Sequence, residues 1–476
     1  MKDASEPIDL LLSLSRDRSA TLGAQIEDQV RHAVRRGTLK PGSRVPSMRD
    51  LARQLGVSRK VVADAYSQLA AEGYLTLRQG ARPYVSRTVA GRAAPGVEAA
   101  TPAPRARFDF RPSTPDVSTF PRASWLRSLR AALATMTDDD LGYGDPRGVT
   151  VLRVALADYL GRVRGVAAAP EHIVVTSGFW QGLGLVCRAL AAAGARRVAF
   201  EDPSHPEPRS IATHAGLTVV PVEVDDGGIR VDALASAGAD AVVLTPAHED
   251  PTGAVLTGER RAALVAWLRA SGAFAIEDDY DAEYRYDRAA VGALQGLDPD
   301  HVIYAGSTSK TLAPALRLGW LVVPPSLIEA VTHAKLLADQ GSPRIDQFAF
   351  ADFLARGELD RHLRRMRARY RARRDVMVAA LADALPEATI RGIDAGLHAI
   401  VELPAGDDEQ AIRDEARRRG IALATLDSYR IDPRDRPPTL LLGYGQVSEP
   451  AIQAGIAELA AAVHTARARL STQKLQ

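Results

Sequence analysis

Residues 39–59 read LKPGSRVPSMRDLARQLGVSR and contain the start and end signals of two short helices. Ser47 is a typical N-cap for the first helix, and Asp50 stands three residues later as its capping-box partner. Gly56 ends that helix, and Ser58 caps the next one. Two helices joined by such a tight, glycine-containing turn predict a helix-turn-helix.

The flanking segments extend this motif into a winged helix-turn-helix. Upstream, apolar residues recur at every fourth position from Leu22 to Val34, which predicts one amphipathic helix over residues 20–36. Downstream, residues 73–77 and 82–86 predict two short strands around a tight turn, and this hairpin is the wing.

Charge and helix position indicate how this head would meet DNA. Residues 1–92 carry 16 basic and 9 acidic side chains, a balance of +7, whereas the rest of the chain has a balance of −5. In such motifs the second helix enters the major groove with its N-terminal residues. We therefore expect DNA contacts from Arg44, Ser47, Arg49, Ser58, Arg59, Lys60, Arg78 and Arg82. The alternative is a helical oligomerisation module whose charges are only solvated.

The rest of the chain has a different pattern. Residues 87–107 are rich in Ala, Pro and Gly and predict a linker between a head at 1–86 and a body at 108–472. In the body, apolar strands alternate with helical stretches, which predicts a mostly parallel α/β sheet. The predicted strands are Ile173–Thr176, Arg197–Phe200, Ala241–Thr245, Phe274–Glu277, Val302–Ala305 and Gly319–Val323.

Lysine is scarce in the body, where only Lys310 and Lys335 occur. Lys310 lies on a loop of small residues at the carboxyl end of a predicted strand, a position from which a side chain projects into a cleft. The hydroxyls of Ser307 and Ser309 and the guanidinium of Arg317 are suited to a phosphate near this lysine. Lys335 falls in a helical stretch and is predicted to be solvated.

Two further segments of the body suit a charged ligand. Residues 275–283 read AIEDDYDAE, and so many carboxylates repel one another unless a cation, such as a protonated pyridinium nitrogen, meets one of them. Residues 176–181 lead from a strand through Gly178 into a helix, and the free backbone N–H groups of a helix start suit a phosphate.

The combination of Lys310, Asp278 and the helix start at Gly178 resembles fold-type-I enzymes that use pyridoxal 5'-phosphate (PLP). Longer strings narrow the resemblance to the MocR/GabR subfamily of GntR-type regulators, and it covers nearly the whole chain. These strings are residues 39–59 and AYSQLAAEGYL (65–75) in the head, and FDFRP (108–112), YGDP (143–146), TPAHEDPTG (245–253), IEDDY (276–280), ALQGLD (293–298) and SKTLAPALRLG (309–319) in the body.

The resemblance implies a winged helix-turn-helix joined to a fold-type-I PLP-dependent transferase-like domain. By position, Lys310 would form a Schiff base with PLP, Asp278 would pair with the pyridinium nitrogen, and Tyr280 would bind the phenolic oxygen. His205 stands where a ring-stacking Tyr is usual. The residues that would hold the phosphate are Ser177, Gly178, Phe179, Ser307, Ser309 and Arg317.

Three positions depart from the family pattern or from its parent enzymes. Trp180 stands where the subfamily often has Gln, His205 replaces the usual stacking Tyr, and Asp250 replaces the Asn that aminotransferases carry before Pro-Thr-Gly. The late strand in which a substrate-carboxylate arginine is usual contains none, so Arg430 is the nearest candidate for an effector's carboxylate.

The resemblance therefore implies a PLP-dependent transcription regulator that binds double-stranded DNA as a homodimer and senses PLP, an amine or an amino acid through Lys310. Two alternatives stay open: an active aminotransferase with an autoregulatory DNA-binding head, and a DNA-binding scaffold with a cofactor-free body. The single cysteine, Cys187, excludes an intrachain disulfide and suits the cytoplasm. Neither a metal site nor a membrane span is expected.

Overall fold

The structure is a computed structural model that describes residues 12–16, 20–87, 106–281, 283–286, 291–432 and 436–474. The contacts between Cα atoms divide the chain into two compact units, Met1–Pro104 and Arg105–Gln476, which we call the head and the body. The predicted linker lies almost entirely outside the described residues. Within the described part of the chain, no helix combines the length and the apolar character needed to cross a membrane.

The head has the predicted order of three helices and a hairpin. Its elements are α1 (Leu22–Arg35), α2 (Met48–Leu55), α3 (Arg59–Ala71), β1 (Leu75–Thr76) and β2 (Tyr84–Val85). The predicted caps are confirmed, because the hydroxyls of Ser47 and Ser58 accept from backbone N–H groups three residues later. Gly56 ends α2 at φ 65°, a left-handed conformation that glycine adopts without steric cost.

The body mostly alternates strands and α-helices from β4 to β9, then continues with β10 and β11 without an intervening α-helix, and ends in a second, smaller sheet with helices packed on it. Its helices are α4 (Arg122–Thr135), α5 (Thr150–Arg164), α6 (Phe179–Ala192), α7 (Pro206–His214), α8 (Val231–Ala237), α9 (Gly258–Ser271), α10 (Ile328–Asp339), α11 (Arg344–Ala355), α12 (Glu358–Ala384), α13 (Glu409–Arg418) and α14 (Glu449–Lys474). Its strands are β3 (Phe108–Asp109), β4 (Ile173–Thr176), β5 (Arg197–Asp202), β6 (Thr218–Asp225), β7 (Gly228–Ile229), β8 (Ala241–Leu244), β9 (Phe274–Asp278), β10 (Val302–Ser307), β11 (Gly319–Val322), β12 (Thr389–Arg391), β13 (His398–Glu402), β14 (Ile421–Ala422), β15 (Ala424–Thr425) and β16 (Thr439–Gly443).

All six strands predicted for the body are present, and they lie in one sheet with the order β4-β11-β10-β9-β8-β5-β6-β7. The pairs from β10 through β9, β8 and β5 to β6 are parallel, whereas β11 runs antiparallel to both of its neighbours. The predicted, mostly parallel sheet is therefore confirmed. In open parallel sheets ligands bind beyond the carboxyl ends of the strands, so this edge positions the site.

The prediction of a solvated Lys335 is wrong. Its side chain on α10 is 0% exposed, and its ammonium group donates hydrogen bonds to Gln181, Asp339 and Ser342. Helical spacing alone does not reveal this environment, because Gln181 lies on α6, more than 150 residues earlier in the chain.

Candidate functional site

The carboxyl edge of the central sheet surrounds a cavity of about 290 Å³. Its walls come from the segments that follow β3, β4, β5, β8, β9 and β10, together with the last residues of β9 and β10. The lining residues are Ser113, Gly178, Phe179, Trp180, His205, Pro208, Asp250, Asp278, Tyr280, Ser307, Ser309, Lys310, Pro314 and Arg317. Nine of the ten residues predicted to bind a cofactor line this one cavity, and Ser177 directly precedes two of them.

Lys310 reaches the cavity from the loop after β10. Its Nζ donates to the backbone oxygen of Ser113 at 2.6 Å, and its own backbone oxygen accepts from the hydroxyl of Tyr284 at 3.2 Å. Burial lowers the pKa of Lys310, and the nearby carboxylates of Asp250 and Asp278 oppose that shift. Ser113 lies 197 residues from Lys310 and belongs to no motif, so it could not be predicted from the sequence.

One member of the acidic segment at the end of β9, Asp279, has a buried cationic partner. Asp279 receives Arg164 through two hydrogen bonds of 2.7 and 3.0 Å, and the hydroxyl of Tyr304 donates to it at 2.6 Å. The side chains of Arg164 and Asp279 are 2% and 1% exposed, so this is a fully buried ion pair. Arg164 therefore supplies a cation to Asp279, and this pair does not include Asp278.

Asp278 is the member of this segment that lines the cavity. The register pairs it with Ala305 of β10, on the strand that leads to Lys310. Burial raises the pKa of Asp278 well above its usual value, Asp250 and Asp279 raise it further, and Lys310 lowers it. A carboxyl in this position favours a cationic partner within the cavity.

Tyr280 lines the cavity and also contacts two buried polar residues, His248 and Asp281. The Nδ1 atom of His248 lies 3.0 Å from the Tyr280 hydroxyl and 2.9 Å from Oδ2 of Asp281. Burial opposes a charge on His248, but Asp281 beside it holds its pKa above the usual value. Burial raises the pKa of Tyr280, and Asp281 adds to this. The phenol of Tyr280 is therefore held in its neutral form. His248 lies within the quoted 245–253 string, which was the available signal for it.

The start of α6 forms another wall of the cavity, which includes Gly178 and Phe179. Gly178 has φ 113°, which glycine adopts readily, and a Cβ atom on it would lie 3.7 Å from the guanidinium of Arg317. A Cβ atom on Gly319 would come within 2.8 Å of the Gly178 Cα. Glycine at both positions lets the helix start approach the sheet and places it beside Arg317.

His205 and Trp180 contact each other at the mouth of the cavity. Their ring centroids are 6.3 Å apart in an edge arrangement, and Tyr429 contacts His205 at 5.4 Å from the other side. Nδ1 of His205 lies 2.5 Å from Oε2 of Glu207.

Two buried glutamates lie behind Asp250. Glu201 accepts from the backbone N–H and the hydroxyl of Thr245 at 2.8 and 2.9 Å, and the same hydroxyl accepts from the backbone N–H of Asp250. Burial raises the pKa of Glu201 to about 7. Burial and the proximity of Glu201 also raise the pKa of Glu249. Oδ1 of Asp250 is buried and has no hydrogen-bond partner among the described residues.

Arg430 does not line the cavity around Lys310. Its side chain lines a separate cavity of about 520 Å³ together with residues such as Asp427 and Arg436. Arg430 follows Tyr429 in the chain, and Tyr429 is the residue whose ring contacts His205.

In the head, seven of the eight predicted DNA-contacting side chains are exposed, and Ser47 is half-buried. Arg59 and Lys60 open α3, directly after its cap Ser58. Arg78 lies over the ring of Tyr84 at 5.9 Å on the wing. The hydroxyls of Ser47 and Ser58 are engaged as helix caps.

Comparison with known proteins connects the two units. Residues 22–85 match the family described as bacterial regulatory proteins, gntR family, and residues 116–435 match aminotransferase class I and II. The HTH-type pyridoxine biosynthesis transcriptional regulator PdxR of Corynebacterium glutamicum is 32% identical, and the match covers 96% of this chain and 99% of that protein. The chain belongs to the MocR-type family of GntR regulators.

Two further similarities agree with this assignment. The probable rhizopine catabolism regulatory protein MocR of Rhizobium meliloti is 32% identical, over 95% of this chain and 96% of that protein. The crystal structure of Pyrococcus horikoshii kynurenine aminotransferase aligns at a TM-score of 0.69 with 26% identity, over 75% of this chain and 91% of that one. This MocR-type chain is thus a transcription regulator whose body has the fold of PLP-dependent aminotransferases.

Proposed function

We propose that this MocR-type regulator binds PLP covalently through Lys310 and that the occupancy of this site controls its affinity for double-stranded DNA. One observation carries the proposal: the amine of Lys310, the buried carboxyl of Asp278, and the helix start at Gly178 beside Arg317 line a single cavity. These are the groups that would receive the aldehyde, the pyridine nitrogen and the phosphate of PLP.

The charges of the cavity fit PLP. Asp278 has a raised pKa because it is buried among other carboxyl groups, and a pyridinium N–H would supply the missing cation. Arg317 and the hydroxyls of Ser307 and Ser309 suit a phosphate dianion, and so do the N–H groups at the start of α6. When bound, PLP supplies an aldehyde carbon with which amines combine.

The protein's own groups prepare this chemistry. Burial lowers the pKa of Lys310, so a larger fraction of its side chain is the neutral amine, the form that attacks a carbonyl carbon. Tyr280, held by His248 and Asp281, presents its phenol to the cavity, where it would bind the phenolic oxygen of PLP. His205 would lie against the ring.

We infer that the effector is PLP itself or an amine or amino acid that competes with Lys310 for the aldehyde. The relative PdxR is named for pyridoxine biosynthesis, which favours PLP as one signal. Arg430 stays a proposal for an effector carboxylate, and it lines a different cavity from that of Lys310. Occupancy shifts the regulator between two states only as far as the ligand's affinities for those states differ.

The head would supply DNA binding in the cytoplasm through Arg44, Ser47, Arg49, Ser58, Arg59, Lys60, Arg78 and Arg82. We further propose a homodimer formed through the body, so that two heads bind paired half-sites. In support, large apolar side chains are exposed in neighbouring segments: Leu133 on α4, Tyr143 in the segment after α4, Leu337 on α10 and Ile345 at the start of α11. Arg344 donates to the backbone oxygen of Tyr143, which joins two of these segments into one face.

The test combines a covalent and a DNA-binding measurement. The purified protein is incubated with PLP, reduced with borohydride and digested, and we expect mass spectrometry to find the pyridoxyl adduct on Lys310. Gel shifts with and without PLP should differ for the wild type and not for Lys310→Ala. An adduct on another lysine, or an unchanged PLP response in Lys310→Ala, would contradict the proposal. Sustained production of a keto acid from an amino donor would instead favour the aminotransferase alternative.

A further inference from the structure

The buried ammonium group of Lys335 sits behind the start of α6. Its Nζ donates to Gln181 Oε1 at 2.9 Å, to Asp339 Oδ2 at 2.8 Å and to Ser342 Oγ at 2.8 Å. These bonds use all three N–H donors of the ammonium group. Burial lowers the pKa of Lys335 and Asp339 opposes this shift. A charged group is costly to bury, and this one is fully buried and fully paired.

Gln181 connects this charge to the proposed phosphate-binding segment. Its Oε1 atom also accepts from the backbone N–H of Ser177 at 2.8 Å, and its Nε2 atom donates to Asp339 at 2.6 Å. Every polar atom of the Gln181 amide is thus engaged, and Lys335 and Asp339 together fix which way that amide faces. A reversed amide would present N–H groups to Lys335 and to Ser177, two donors that need an acceptor.

The consequence falls on residues 177–179. The backbone N–H of Ser177 is held by Gln181. The next residue, Gly178, has a φ of 113°, and glycine adopts this and other backbone conformations with little difference in energy. Gly178 has little intrinsic preference for this conformation, so contacts to the backbone determine where the N–H groups of the helix start point. The hydroxyl of Thr176 contacts the backbone of Gly178, and Gln181 holds the backbone N–H of Ser177 directly before it.

We infer that Lys335 is a positioning residue for the phosphate of the ligand: through Gln181 it holds Ser177, Gly178 and Phe179 in the conformation that receives the phosphate group. This inference rests on the proposed function, because it concerns the same cavity. Lys335 does not line that cavity and acts only through Gln181.

The test compares two probes, PLP and pyridoxal, which share the aldehyde and the ring and differ in the phosphate. The measured quantity is the dissociation constant from the absorbance of the adduct with Lys310 in the full-length protein. In Lys335→Met we expect the dissociation constant for PLP to rise about tenfold, which corresponds to the loss of one charge-assisted hydrogen bond between the helix start and the phosphate. The dissociation constant for pyridoxal should change by less than about twofold. Gln181→Leu should also weaken the binding of PLP more than that of pyridoxal. This second variant retains the Lys335–Asp339 pair, so it tests the inference even if Lys335→Met folds poorly.

Arg364→Met, which removes one exposed cation from α12, is the control and should change neither constant. Equal losses for PLP and pyridoxal in both variants would mean a general structural role and would overturn the inference, as would unchanged PLP affinity. If the wild type forms no adduct with PLP at all, the proposed function itself fails, and this result is distinct from a wild type that binds PLP while both variants keep its affinity.

Discussion

The head and the body handle charge in opposite ways. In the head, cations such as Arg49, Arg59 and Lys60 are exposed and close together in sequence. In the body, charges such as Asp279 and Lys335 are buried, and each has at least one partner from a distant part of the chain. Exposed charges act almost independently and are screened by salt, whereas buried charges depend strongly on their partners. Substitutions should therefore have small, separable effects in the head and large, coupled effects in the body.

The largest effect is expected where a buried pair loses one partner. Arg164→Met leaves Asp279 buried with only the hydroxyl of Tyr304, so the free energy of unfolding should fall by about 3–5 kcal/mol. Chemical denaturation of the body, followed by tryptophan fluorescence, measures this loss.

The control for that variant removes both charges. Because the cost arises from an unpaired buried charge, the double variant Arg164→Met, Asp279→Leu should recover most of the stability lost in the single variant. The partly exposed pair Arg31–Glu72 of the head provides the contrast, since Arg31→Met there should cost no more than about 1 kcal/mol. Similar losses from the two single variants would contradict the distinction between the two regions.

The second prediction concerns pH. The pKa of Glu201 is raised to about 7 in the folded body, so the folded state binds this proton more tightly than the unfolded state does. The stability that this group contributes is present at acid pH and is lost as the pH rises towards about 7. Glu201→Gln cannot titrate, so its stability relative to the wild type should increase by roughly 1–3 kcal/mol between pH 5 and pH 8.

The comparison must separate Glu201 from other buried carboxyl groups. Burial also raises the pKa of Glu277 and Glu283 to about 7, so the stability of both proteins falls with pH. The difference between them reports on Glu201 together with Glu249, whose pKa is raised by the proximity of Glu201. Glu329→Gln, an exposed substitution on α10, should follow the wild type throughout. A pH-independent difference between Glu201→Gln and the wild type would show that Glu201 does not titrate in this range.

The contrast between local and distant contacts also explains which features could be predicted from the sequence. The helices of the head, their caps at Ser47 and Ser58, and the six central strands were predictable because each depends on spacing within a short segment. Lys310 and Asp278 could be proposed as site residues for the same reason, because each stands at or just after the end of a strand that the sequence predicts.

The residues that support the site were not predictable in this way. Ser113 contacts Lys310 and Gln181 contacts Lys335, and each pair is separated by more than 150 residues in the sequence. Glu201 at the end of β5 accepts a hydrogen bond from Thr245, which follows β8. The apparent solvation of Lys335 failed as a prediction because burial of a polar side chain depends on the tertiary partner, which a local pattern does not contain.

The third prediction uses the same residue type at equivalent positions in the two regions. Thr21 caps α1 of the head and Thr257 caps α9 of the body, each through its side-chain oxygen. Replacement of either by Ala should cost about 1 kcal/mol. Because the head is the smaller unit, this cost should lower its melting temperature by roughly 4–8 °C, while the shift in the body should be smaller. Differential scanning calorimetry measures both. Equal shifts would indicate that the two units unfold together.

The smallest effect is expected at a single exposed cation of the head. Arg49→Ala removes one proposed phosphate contact, so it should weaken binding to specific and unrelated DNA alike and reduce the salt slope of the affinity by about one unit. Between 50 and 200 mM salt its deficit relative to the wild type should shrink by about threefold, since one released counterion contributes that much over a fourfold change in salt. Arg31→Ala is the matched control, because that guanidinium is already bound to Glu72 and should leave the slope unchanged. A loss confined to one DNA sequence would instead assign Arg49 to base recognition, since phosphates are the same in every sequence.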